Sequence, residues 1–180
     1  MRRIVARMSC GLLLGLLLAA GARAQTQAVL LPPPFIEYTA KFTCGAEPTS
    51  EPDDVVAGVY ASSINIHNPQ ARLTLTFLKK IVPAPREVSG VGRPVFSQLF
   101  RLGPDQADRV DCIFIKKALG LAAPSYVEGF VVLEVPPIVG AAPIQPELDV
   151  VAKYTARPAT TGAGVSTQSV VPVVGKSIKF

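Results

Sequence analysis

A chain with one imidazole offers one place to look for acid–base chemistry. His67, in SSINIHNPQ (residues 62–70), is the only histidine among 180 residues. A catalytic histidine needs a nucleophile within reach and an acid to orient it. No Gly-x-Ser-x-Gly turn is present to supply the nucleophile. His67 follows an alternating Ser-Ile-Asn-Ile and precedes Asn68-Pro69, a turn-initiating pair. The expected geometry is a hairpin between Ile66 and Arg72 with His67 at its edge. No catalytic residue is assigned.

Cysteine is the next candidate. Cys10 falls in the N-terminal leader, leaving Cys44 in KFTCG and Cys112 in VDCIFI. Two thiols carried into an oxidising compartment pair rather than stay reactive, so a Cys44–Cys112 disulfide is expected. A structural zinc site takes four ligands, and two cysteines with one histidine fall short. Asp105, Asp108 and Asp111 recur every third residue in PDQADRVD, and Asp53 adjoins Asp54. Such oxygens suit calcium, but the spacing is not that of the alternating-acid loop with its glycine. Asp105, after Gly103-Pro104, reads as a turn or helix-start residue. No buried acid pair can be named for glycosidase chemistry. VGKS at 174–177 looks like the end of a phosphate-binding loop, but the required earlier glycine falls at Val170. No metal, cofactor or catalytic residue is therefore expected. Lys79-Lys80 and Lys116-Lys117 would make a basic patch if their strands were neighbours.

These side chains need elements to position them, and the first element is one the working protein is expected to lose. MRRIVARMSCGLLLGLLLAAGARA has an Arg-rich start, an apolar stretch from Cys10 to Ala20, and the small-x-small site Ala22-Arg23-Ala24. That order is a secretory signal peptide over residues 1–24, with cleavage before Gln25. Its loss removes Arg2, Arg3, Arg7 and Arg23, leaving 14 basic against 13 acidic residues, so the net charge falls from +5 to +1. A nucleic-acid partner would need a basic surplus, and none is expected. No later apolar run is long enough to cross a membrane as a helix. The localisation implied is periplasmic or secreted.

Residues 25–36, with Pro32-Pro33-Pro34, read as an extended proline-rich leader. Residues 37–180 read as a single domain. Apolar residues make up 49% and charged residues 17%, a balance that sustains a core. Eight short β-type runs lie between proline or glycine breaks: 38–44, 58–66, 72–82, 95–102, 110–116, 126–135, 148–155 and 165–173. In RLTLTFLKK, Leu73, Leu75 and Phe77 point one way and Thr74 and Thr76 the other. YVEGFVVLEV and LDVVAKYTA are more uniformly apolar and read as central strands buried on both faces, with Glu134 and Lys153 as polar exceptions. LGPDQADRV has room for one helical turn. The fold expected is all-β: a two-sheet antiparallel β-sandwich, immunoglobulin-like or jelly-roll-like, of about eight strands.

At YTAKFTCG, INIHNPQ, VDCIFIKK and ELDVVAKYTAR the chain resembles a set of small exported bacterial β-proteins to which no activity is attached, over most of residues 38–156. In strand rhythm it is more distantly similar to the β-sandwich of the sensory rhodopsin transducer family. An export signal and a disulfide depart from that family and argue against its cytoplasmic signalling role. Both resemblances imply a β-sandwich, and neither carries a functional residue over.

The function expected is an exported, non-enzymatic β-sandwich acting as an accessory, adhesion or ligand-binding module, with a protein or cell-envelope ligand as its partner. Two alternatives stand beside it. A small outer-membrane barrel would use the same number of strands, although Trp is missing and only four Tyr are available for two aromatic girdles. A hydrolase with an unrecognised site would show a pocket with converging polar groups.

Overall fold

The computed structural model describes residues 35–48, 55–84, 92–122, 124–138, 146–159 and 167–178. The expected signal peptide and residues 25–34 of the leader lie outside the described residues. The elements in order are β1 (Phe35–Glu47), β2 (Gly58–His67), β3 (Leu75–Pro83), β4 (Phe96–Leu102), β5 (Ala107–Asp111), α1 (Cys112–Leu119), β6 (Val127–Val135), β7 (Asp149–Pro158), β8 (Thr167–Pro172) and β9 (Lys176–Ile178). The fold is all-β and antiparallel, as the period-two runs imply. No helix among the described residues is long and apolar enough to cross a membrane.

The ladders join into one continuous path, β4-β3-β6-β1-β2-β7-β8, with β5 on β2 and β9 on β1. The expectation of two separate sheets is drawn differently by the hydrogen bonds, and β1 is the reason. Its Ile36, Tyr38, Ala40, Phe42 and Cys44 all turn inward at alternate positions. It pairs with β6 from Ile36 to Cys44, then passes to β2 from Gly45 to Glu47. Gly45 makes the transfer at φ +107°, and a Cβ there would lie 2.1 Å from the Ser125 carbonyl oxygen. Only glycine combines that dihedral with that approach. Both halves of the path enter one core, with Phe42, Phe77 and Leu133 from one and Ile64, Ile66 and Val150 from the other. The Leu148 amide donates to Tyr38 Oη at 2.9 Å and Tyr154 Oη donates to the Lys41 carbonyl at 2.9 Å, tying β7 and its lead-in across to β1. The path is open, with β4 and β8 at its ends and no ladder joining them among the described residues, so these strands do not draw the closed barrel.

Several expectations need correction. The strand expected over 110–116 is a short β5 followed by helix α1. Asp111 Oδ1 accepts from the Phe114 amide at 2.9 Å as an N-cap, and Gly120 closes the other end in the left-handed conformation at φ 67°. Residues 102–110, where a helical turn was expected, form a turn at Pro104-Asp105 and then β5. The hairpin around His67 does not form, because β2 pairs with β1, β5 and β7 while β3 pairs with β4 and β6. Asn68 redirects the chain instead. Fully buried, it donates through Nδ2 to the carbonyls of Leu73, Leu102 and Gly103 and accepts through Oδ1 from the Gln70 amide. β1 starts at Phe35, inside the expected leader, because Ile36 belongs to the core. β7 is interior to the path but keeps Lys153 in water, whereas Glu134 of β6 is buried.

Candidate apolar groove beside the disulfide

The Cys44 and Cys112 sulfurs lie 2.04 Å apart with their Cα atoms at 5.5 Å, which is disulfide geometry. The bond joins the last inward position of β1 to the first residue of α1, across 68 residues of sequence. Ser62 of β2 secures the same corner. Its hydroxyl accepts from the Thr43 amide at 2.9 Å and donates to the Thr43 carbonyl at 3.1 Å, and its own amide meets Cys112 Sγ at 3.1 Å. Helix α1 is thereby pinned beside the stretch where β1 pairs with β2.

A groove of about 700 Å³ opens between them. Its walls are Val59 and Tyr60 of β2, Ile113 of α1, and Leu121 and Pro124 of the segment that follows. Ile113 is 81% exposed and Val59 54%, and Leu121 is also exposed. Tyr60 stands edge-on to Tyr126, with ring centroids at 5.9 Å, and its hydroxyl donates to the Val56 carbonyl. The phenol is already engaged, so the ring offers the groove its apolar body. Lys116 and Lys117 also line it, and among the described residues no acid does. This is a concave apolar surface with charge at one margin, the usual make-up of a ligand cleft.

The sequence-derived candidates go elsewhere. His67 Nε2 lies 3.0 Å from Asp105 Oδ1 and Nδ1 3.3 Å from Asp149 Oδ2. The hydrogen bond to Asp105, then that to Asp149, raises its pKa above the ordinary histidine value. It is an imidazole bracketed by two acids at the end of β2. Asp105 itself sits at φ 56°, in the left-handed region that aspartate tolerates in turns. Asp108 pairs with Lys79 at 2.8 Å and Asp111 caps α1, so the three regularly spaced acids face three different partners. Among the described residues no group of three or more His, Cys, Asp or Glu could hold a metal ion. Asp53 and Asp54 lie outside the described residues.

The four-lysine patch does not form either. Lys79 and Lys80 are both buried, Lys79 against Asp108 and Lys80 against Glu134. Lys79 also has its ammonium over the rings of Phe100 at 3.6 Å and Phe114 at 4.7 Å. The residues that do meet, Val59, Ile113 and Leu121, escape a reading of sequence taken as strand. In a strand Ile113 and Ile115 would share a face. In a helix, at 100° per residue, they point nearly opposite ways. Ile115 is therefore fully buried while Ile113 faces out. The available signal was the cap pair, Asp111 before and Gly120 after the run.

Compared with known proteins, the chain matches no family profile, no curated protein and no solved structure.

Proposed function

We propose that the protein is an exported, non-enzymatic module that binds an apolar ligand in the groove between α1 and the paired ends of β1 and β2. The observation that carries this is Ile113, a large apolar side chain 81% exposed on the outer face of a helix whose fully buried residue is Ile115. Nothing in the fold requires an apolar residue there. With Val59 and Leu121 it makes a continuous apolar lining in a concavity, and such patches mark interaction sites. The Cys44–Cys112 pair suits an oxidising compartment, which supports the periplasmic or extracellular placement. His67 has acids on both nitrogens, an arrangement that fixes an imidazole rather than presenting it to a substrate.

The test is binding of an apolar fluorescent reporter to the purified protein, followed in the native protein and in Ile113→Asp and Val59→Asp. Burying one such side chain against a ligand is worth roughly 1.5 kcal/mol or more, so each charge introduced should weaken binding by at least about tenfold. Circular dichroism should remain native, because neither side chain is in the core. Equal binding by all three proteins would reject the groove as the site.

A further inference from the structure

Resting on that reading of the groove, we infer that its ligand is a free, single-chain anionic amphiphile of the long-chain carboxylate class, with its chain along Val59, Tyr60, Ile113 and Leu121 and its carboxylate at Lys116 and Lys117. Cys112, Ile113, Lys116 and Lys117 all line the groove. They are the i, i+1, i+4 and i+5 positions of one helix, so each lysine stands a turn beyond one of the first two. The same face thus turns from apolar to cationic over one turn, as a ligand with a tail and a charged end requires.

Charge is matched on one side only. Among the described residues neither ammonium has an acidic partner, and no acid lines the groove. Lysines in the last turn of a helix also complement its dipole. That role, however, leaves their charge open to a carboxylate.

Two other occupants fit less well. A peptide gains much of its affinity from backbone pairing, and the backbone here is already used. Gly45 and Ala46 pair with Tyr60 and Val59, the Ala46 amide donates to the Pro124 carbonyl at 2.8 Å, and the Gly120 and Leu121 amides close the helix. A bilayer surface is engaged by a cluster of several basic residues or by a protruding apolar face. This site is a concavity with two lysines, on a chain whose charge without its expected signal peptide is +1.

The experiment is calorimetric titration of the purified protein with a long-chain fatty carboxylate, the alcohol of the same chain and the quaternary ammonium of the same chain, all kept below micelle formation. The carboxylate should bind about tenfold tighter than the alcohol, the scale of one charge-assisted contact, and the ammonium weakest. The preference should shrink as salt is raised. In Lys116→Met/Lys117→Met the carboxylate should lose its advantage over the alcohol of the same chain. Equal affinity for all three head groups would overturn the assignment of charge and leave the apolar groove standing. Binding of none of them, with the reporter dye also silent, would overturn the groove itself. Retention on vesicles containing anionic lipid, without binding of the monomeric carboxylate, would overturn the choice of a free ligand.

Discussion

Replacing Asp108 with alanine isolates an ammonium in the core and should be among the most damaging single polar changes. The Lys79 side chain is 2% exposed, with Nζ 2.8 Å from Asp108 Oδ2. Removing one partner of a fully buried pair costs about 3 to 5 kcal/mol, because the remaining charge is left desolvated. Two features here lower that figure. Asp108 is 32% exposed, so water already screens the pair. The rings of Phe100 and Phe114 stay over the ammonium, and a desolvated contact of this kind returns up to about 2 kcal/mol. The expected net loss for Asp108→Ala is therefore about 2 to 3 kcal/mol. Lys79→Met removes the buried charge, keeps most of the volume, and lets Asp108 turn to water. It should stay within about 1 kcal/mol of the native protein. Combining the two changes should restore most of what Asp108→Ala loses. Urea unfolding at neutral pH reads all four proteins, provided the m-values agree. Loss of less than about 0.5 kcal/mol in Asp108→Ala, or an equal loss in Lys79→Met, would refute the view that an uncompensated buried charge dominates here.

Removing the disulfide as Cys44→Ala/Cys112→Ala frees a loop spanning 68 residues, and chain entropy puts the cost at about 4 kcal/mol. Urea midpoints should show it, reporter binding at the groove should fall as α1 loosens, and a variant that keeps both stability and binding would contradict the role given to the bond. For His67 the folded pKa is raised, chiefly by Asp105 and then by Asp149. The pairing therefore contributes fully below the unfolded value of 6.5 and is lost as pH rises through the folded value. Urea midpoints of the native protein should decline relative to those of His67→Gln as pH rises above 6.5. Asp105→Asn should remove more of that slope than Asp149→Asn, and parallel pH profiles for all of these proteins would contradict the linkage.

The strands were legible wherever one face packs and the other meets water, since alternation survives in sequence. Leu75 and Phe77 turn inward as RLTLTFLKK implies, and the same face continues to Lys79, which its charge disguised. Consecutive lysines look like a solvated strand end, and nothing local announces that Asp108 and Glu134, 29 and 54 residues away, will bury them. Cys44 and Cys112 were paired by elimination, and the fold brings them together. The helix was missed because Ile-Phe-Ile has the composition of a strand. The caps, Asp111 and Gly120, decide the matter through backbone geometry that composition does not weigh. His67 was placed in a hairpin because Asn-Pro ordinarily turns a chain back on itself. Here the buried Asn68 amide binds three carbonyls, two of them more than thirty residues away, and sends the chain into the other half of the path.

The groove was the least legible feature because its parts become neighbours only through the turn at Gly45 and the bond at Cys112. What makes it informative is the cost of leaving it open. Ile113 could be exchanged for a polar residue without touching the core, and the same holds for Val59. Exposed apolar surface in a concavity contributes nothing to folding and invites association with other chains. Other large apolar side chains are exposed as well, Val56, Leu99, Phe130 and Val174 among them, but none of these lines the groove. What sets Val59, Ile113 and Leu121 apart is that they are gathered in one concavity held in shape by a disulfide and the Ser62–Thr43 hydrogen bonds, and this supports the proposed partner outside the fold. On the proposed reading, Lys116 and Lys117 in its lining favour an anionic partner.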